Sequence, residues 1–209
     1  MLKKYINKDI KLNIKQKICI LSLVIVISGI FGWIYEFIFY YFNSGMKQFY
    51  MRGGNFLPWI NIYAYGALLI IFLTYKRRKH PLQVFLISVI STGILEFLAG
   101  YILYGKLGLI KCWDYNQEIL NFGNIGGYIC LRSVLIFGIS GLLLIYLILP
   151  VLIKLSKTKR INLLLTISLI LCSIFLIDEI YNLVFTKLFN LPRASTIYKK
   201  LGIKYLYFK

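Results

Sequence analysis

The stretch Ile18 to Phe42, ICILSLVIVISGIFGWIYEFIFYYF, runs for about 25 residues and carries a single charge, Glu36. An apolar run of that length crosses a bilayer core of roughly 30 Å as a helix of about 20 residues, and few soluble core helices need one so long. It follows the lysines Lys3, Lys4, Lys8, Lys11, Lys15 and Lys17. That arrangement imitates a secretory leader, but no small-x-small cleavage site interrupts the run, so it reads as a retained first span.

Working outward, similar runs cover 56 to 75, 82 to 104, 128 to 153 and 162 to 189. Asn43 to Gly45, Lys76 to Pro81 and Ser156 to Arg160 separate them with turn residues. The segment from about 105 to 127 is too polar to span and is expected to be an outer or partly re-entrant loop. The fold class is therefore all-α, a polytopic transmembrane helix bundle of about five spans. It divides into a basic cytoplasmic N-terminus (1–17), the bundle (18–189) and a basic, aromatic C-terminal tail (190–209). The composition agrees: 59% of the 209 residues are hydrophobic and 15% charged, against about 25% charged in soluble domains.

The net charge of +18 would suggest nucleic acid in a soluble protein. Here the Lys and Arg residues crowd into short segments between apolar runs, the pattern of a positive-inside bias, and nucleic acid is excluded as a partner. Lys76 to Lys79 follow span two, and Lys154, Lys157, Lys159 and Arg160 follow span four; the alternate loops hold only Lys47 and Arg52, then Lys106 and Lys111. The expected location is the cell membrane, multi-pass, with the N-terminus cytoplasmic. Five spans then place the tail outside despite Arg193, Lys199, Lys200, Lys204 and Lys209. Either the tail lies at the headgroups, with Tyr198, Tyr205, Leu206, Tyr207 and Phe208 in the interface, or the span count is off by one.

Four cysteines without CxxC spacing and one histidine, His80, do not make a zinc site. Neither a metal nor a cofactor is expected. Cys112 and Cys130 fall on one side of the membrane, where a disulfide is one reading and free buried thiols the favoured one.

Of seven acidic residues, Glu36, Glu96, Asp178 and Glu179 fall inside spans. A charge at the bilayer centre costs about 2.5 to 3.5 kcal/mol on insertion scales, so each requires a partner or a purpose. All four land in the outer half of the membrane, and Arg132 opens span four at similar depth. Helical spacing aligns Gly29, Gly32 and Glu36, and also Ser88, Thr92, Glu96 and Gly100, as stripes that let helices approach. Ser168, Cys172, Glu179 and Asn182 align on span five, with Asp178 turned away. One reading is a structural ion-pair network, in which Asp178 or Glu179 snorkels or pairs with Lys187. One buried Arg cannot neutralise four carboxylates, however, so some must be protonated, solvated by a cavity, or paired with a loop residue such as Arg52. Trp113-Asp114-Tyr115 adds a loop cluster, alternatively an aromatic-belt anchor. Tyr40, Tyr41, Trp59 and Tyr101 read as belt or packing residues.

Several ordered motifs then stand together: Gly-Trp-x-x-Glu at Gly32 to Glu36, Arg52-Gly53 followed by Pro58, and Tyr63-x-x-Gly66-Ala67. Glu96 with Gly100, Trp113-Asp114-Tyr115, Asn124-x-x-Gly127-x-Ile129-Cys130 and Pro150 complete the set. Over residues 29–153 this pattern resembles the bacterial membrane-protein family called Putative ABC-transporter type IV, the CmpB-like permeases. It departs at Asn61 and Ala64, where the family tends to carry Pro and Gly. The resemblance implies the architecture and the motif positions; a transporter or permease subunit is the first functional reading, with Glu36, Arg52, Tyr63, Glu96, Trp113, Asp114, Asn124 and Arg132 as the substrate-binding set. Membrane lipid and a separate ATPase or other membrane subunit are the implied partners, since no GxxxxGK[ST] loop occurs in the chain. An intramembrane enzyme acting on a lipid or isoprenoid-like substrate through carboxylate acid/base residues is the alternative, and a structural or regulatory membrane protein the third reading.

Overall fold

A computed structural model describes residues 5–6, 10–108 and 111–205. Lys3, Lys4 and Lys8 of the basic N-terminus, and Leu206 to Lys209 of the tail, lie outside the described residues. Five membrane-directed helices follow in order: α1 (Ile14–Asn43), α2 (Asn61–Thr74), α3 (Pro81–Gly100), α4 (Leu131–Leu143) and α5 (Ile161–Ile180). A short α6 (Ala194–Lys200) follows them in the tail. With their irregular extensions, α3, α4 and α5 reach Lys106, Leu155 and Leu188, and these three together with α1 are long and apolar enough to cross a membrane.

Span two is the exception. Its helix has 14 residues, a rise of about 21 Å at 1.5 Å per residue, and it begins at Asn61 rather than at 56. The residues before it form a non-helical loop that enters the bundle, with Arg52, Asn55, Trp59 and Ile60 buried. Such backbone is tolerated at depth only where protein satisfies its polar groups. Asp178 on α5 does so: its two oxygens accept Phe56 N and Leu57 N, each at 2.9 Å, and Trp59 Nε1 at 3.1 Å. Pro58, sitting among them, offers no N–H to satisfy. Ile60 N donates to the Gly29 carbonyl of α1 at 3.0 Å.

Helix starts follow local chemistry. Asn13 caps α1 through a reciprocal pair with Gln16, and Pro81 occupies the first turn of α3, where no N–H is required. In α4 the turn at Leu144–Ile148 widens to π geometry immediately before Pro150. A proline removes one ladder bond and crowds the preceding turn, and the extra residue in that turn accommodates it.

α1 packs between α5 and α2, α2 packs on α3, and α3 on α4. At the end nearer the basic loops the continuation of α4, Leu149–Leu155, returns against α1. A closed apolar core forms there from Ile20, Val24, Ile70, Val84, Ile145, Leu149 and neighbours. Close approach rests on glycines: a Cβ on Gly138 would meet Phe85 at 2.7 Å, and one on Gly32 would fall on the Tyr63 ring. At the opposite end α6 and the tail dock on the entering loop, Tyr198 donating to the Phe56 carbonyl and Gly54 N to the Tyr205 hydroxyl. The tail thus sits at the end of the bundle opposite Tyr5, whose carbonyl accepts Arg78 Nε at 2.9 Å. The four cysteines are free.

Candidate functional site

The ends of α1, α2, α3 and α4 away from the basic loops, closed over by the loop between α3 and α4, surround a small polar chamber of about 20 Å³, close to the volume of a single water probe. Glu36, Glu96, Glu118 and Arg132 line it among Tyr35, Tyr40, Tyr63, Trp113, Tyr115 and Ser133.

α1 supplies one wall because Glu36 and Tyr40 are one helical turn apart and Tyr35 and Phe39 flank them. Arg52, brought in by the entering loop, places Nε and Nη2 at 3.0 and 2.9 Å from Glu36 Oε2. Its guanidinium stacks 3.8 Å above the Tyr40 ring and donates to the Cys112 carbonyl. The Tyr40 hydroxyl in turn donates to Glu118. Arg132 Nη2 meets the other Glu118 oxygen at 2.6 Å, and its guanidinium lies 3.9 Å over Phe39. The resulting run, Glu36–Arg52–Tyr40–Glu118–Arg132, consists wholly of side chains. Arg132 Nε is buried and has no hydrogen-bond partner among the described residues, an unsatisfied donor of the kind that costs about 1 to 3 kcal/mol.

Glu96 differs from its neighbours. No cation pairs with it among the described residues. The Tyr115 hydroxyl donates to its Oε1, and its Oε2 lies 2.8 Å from Ser133 Oγ. Ser133 Oγ is also 2.8 Å from the Cys130 carbonyl oxygen.

Of the residues singled out from the sequence, Glu36, Tyr63, Glu96, Trp113 and Arg132 line the chamber, and Arg52 grips it from behind. Asp114 and Asn124 do not line it; they build the covering loop. Asp114 accepts Lys111 Nζ at 3.0 Å, Asn116 N at 3.1 Å and Gln117 Nε2 at 3.2 Å. Burial opposes its charge, but Lys111 and these donors hold its carboxyl below the usual carboxylate range. Asn124 Nδ2 donates to Asn116 and its Oδ1 accepts Gly127 N. Gly127, at φ +79° with no room for a Cβ beside Asp114, is the backbone hinge of that arrangement.

Sequence reasoning misses Glu118 and Ser133, and it takes Tyr40 for a belt or packing residue. Tyr40 carries a usable signal, four residues beyond Glu36 on one face. Glu118 carries none, since only the loop's fold brings it inward. Asp178 and Glu179 stand apart from the chamber: Asp178 holds the entering loop, and Glu179 accepts the Tyr65 hydroxyl. Neither snorkels, and neither pairs with Lys187 among the described residues. No group of three or more His, Cys, Asp or Glu side chains among the described residues is placed to hold a metal.

Below the chamber, away from the loops, an apolar groove of about 220 Å³ runs between α1 and α4 over α2. Tyr35, Tyr63, Ile136 and Phe137 line both cavities. The groove opens past Phe31, Leu143 and Leu147, which are exposed on the lipid-directed surface, and the widened turn before Pro150 forms part of its wall.

A model of the family described as Putative ABC-transporter type IV matches residues 23–183. The match runs beyond the 29–153 suggested by the motifs and takes in span five with Asp178 and Glu179. No curated protein and no solved structure matches the chain.

Proposed function

This chain belongs to the family described as Putative ABC-transporter type IV, and we propose that it is the membrane subunit of a transport system whose cargo is an amphiphile. A water-sized part of the head, such as a terminal ammonium, would occupy the polar chamber and the chain the apolar groove. The observation that carries this reading is the common wall: Tyr35, Tyr63, Ile136 and Phe137 line both the charged cavity and the lipid-open groove, so the two lie one layer of side chains apart and displacement of those side chains would let one amphiphile reach both. A binding site that is mostly apolar with a few convergent polar groups is the usual form of a ligand pocket. Three chamber carboxylates against two guanidiniums favour a cationic or hydrogen-bonding head. ATP hydrolysis would belong to a separate protein docked at the end bearing Lys76 to Arg78 and Lys154 to Arg160, the end the positive-inside bias makes cytoplasmic.

The test is native mass spectrometry of the protein released from nanodiscs, wild type against Ser140→Phe, which fills the groove without touching the chamber. An amphiphile carried by the wild type and lost from Ser140→Phe supports the reading. Equal retention by both, or none by either, removes it. A second reading, an intramembrane enzyme, is favoured by Glu96, whose neutral partners suit an acid or base; recovery of a chemically altered amphiphile would select it.

A further inference from the structure

The hydrogen bonds around Ser133 contain one more contact than the serine has protons. Ser133 Oγ lies 2.8 Å from Glu96 Oε2 and 2.8 Å from the Cys130 carbonyl oxygen. A carbonyl oxygen and a carboxylate oxygen are both acceptors, and a hydroxyl has one hydrogen to give. Cys130 N, 3.4 Å away, also points its hydrogen at Oγ and so supplies nothing to either acceptor. Both full-length contacts are made if Glu96 carries the missing proton. Glu96 Oε2–H then donates to Ser133 Oγ, Ser133 donates to the Cys130 carbonyl, and Tyr115 donates to Glu96 Oε1.

The surrounding charges agree with that count. The titratable and hydroxyl groups that line the chamber with Glu96 are Tyr35, Glu36 and Tyr40 from α1, Tyr63 from α2, Tyr115 and Glu118 from the covering loop, and Arg132 with Ser133 from α4. Both guanidiniums are engaged elsewhere, Arg52 by Glu36 and Arg132 by Glu118. With a neutral Glu96 these two pairs leave the chamber balanced; with an ionised Glu96 it would hold one buried negative charge without a counter-charge, which is costly in a low-dielectric interior.

We propose that Glu96 holds a proton in the resting chamber and releases it when a cationic headgroup enters, so that the site exchanges one for the other. The release is balanced: the Glu96 O–H bond breaks, its proton leaves to solvent, and the carboxylate left behind pairs with the incoming cation. The exchange rests on the chamber being the headgroup site; the resting proton does not.

Infrared difference spectra of nanodisc-embedded protein labelled with ¹³C-glutamate test both halves. At neutral pH, wild type minus Glu96→Gln shows a protonated-carboxyl carbonyl band, and Ser133→Ala moves that band to higher frequency because its hydrogen bond is gone. Absence of the band overturns the resting proton. Titration with dodecylamine replaces the band by carboxylate absorption, and uncharged dodecanol leaves it in place. A band that persists at saturating dodecylamine overturns the exchange. Native mass spectra of the same samples separate the causes: bound amine with the band intact condemns the exchange alone, and no bound amine condemns the headgroup reading of the chamber as well.

Discussion

Asp178 and the chamber glutamates are buried or nearly buried carboxylates at the same end of one bundle, yet they are satisfied in opposite ways. Asp178 receives four donors, Phe56 N and Asn182 Nδ2 on one oxygen and Leu57 N and Trp59 Nε1 on the other. Two come from backbone whose position is inseparable from the fold, and three of the four lie on the entering loop, which they hold in place. Glu36, Glu96 and Glu118 are met almost entirely by side-chain tips, which can rotate to other partners when a ligand arrives. A carboxylate saturated by backbone donors is structural; one shared among side chains around a cavity is free to respond. Both are carboxylates at one end of the bundle, so the difference lies in who donates.

The comparison can be broken by substitution. Asp178→Ala leaves the part-buried Phe56 and Leu57 N–H groups and the buried Trp59 indole N–H without an acceptor, at about 1 to 3 kcal/mol for a buried group, and is expected to cost about 2 to 6 kcal/mol. Thermal unfolding in detergent micelles should show it as the largest loss of the series, and a near-wild-type melting temperature would refute the clamp. Arg52→Met strands Glu36 and should cost about 3 to 5 kcal/mol, as breaking one side of a buried pair does. Adding Glu36→Gln should recover much of that, because the stranded charge goes; a double variant no more stable than Arg52→Met alone contradicts the pairing.

Gly32→Ala puts a Cβ onto the Tyr63 ring, an overpacking worth about 1 to 3 kcal/mol. Because Tyr63 lines both cavities, amphiphile retention should fall along with stability. The smallest effect concerns the covering loop. Asp114 has a depressed proton affinity in the folded state, so its contribution is fully present above the unfolded carboxylate's range and is lost as pH falls through the lower folded value. Hydrogen-exchange protection factors in segment 111–127, with the pH dependence of intrinsic exchange divided out, should therefore be unchanged between neutral pH and the mildly acidic range and fall only below it. In Asp114→Asn the protection should be weaker at neutral pH and lack that acid-dependent step.

The amount legible in the sequence differs between these regions. Hydrophobic runs located the spans to within a few residues except at the start of span two, where apolar Phe56, Leu57, Trp59 and Ile60 look helical. They are not: Asp178 takes the backbone N–H groups of Phe56 and Leu57, the Leu57 carbonyl that of Trp59, and the Gly29 carbonyl that of Ile60. The stripe Gly29, Gly32 and Glu36 and the stripe Ser88, Thr92, Glu96 and Gly100 were visible, since residues on one helix face are separated by fixed intervals. Arg52 was available as a partner for a span carboxylate, but nothing in its neighbourhood selected Glu36 among the candidates. Glu118 was invisible, as its inward position depends on the turn at Tyr115–Gln117 and on Gly127.

By itself the sequence determined residence in the membrane, about five helical segments, and the presence of carboxylates that the lipid could not tolerate unpaired. Those conclusions need only local quantities: hydropathy over a turn or two, helical spacing, and the cost of burying charge. Tertiary structure alone decided which carboxylate met which donor. Phe56 and Asp178 are 122 residues apart, Tyr40 and Glu118 are 78, and a hydrogen bond formed across such separations is set by how helices and loops pack, for which no local pattern is a substitute.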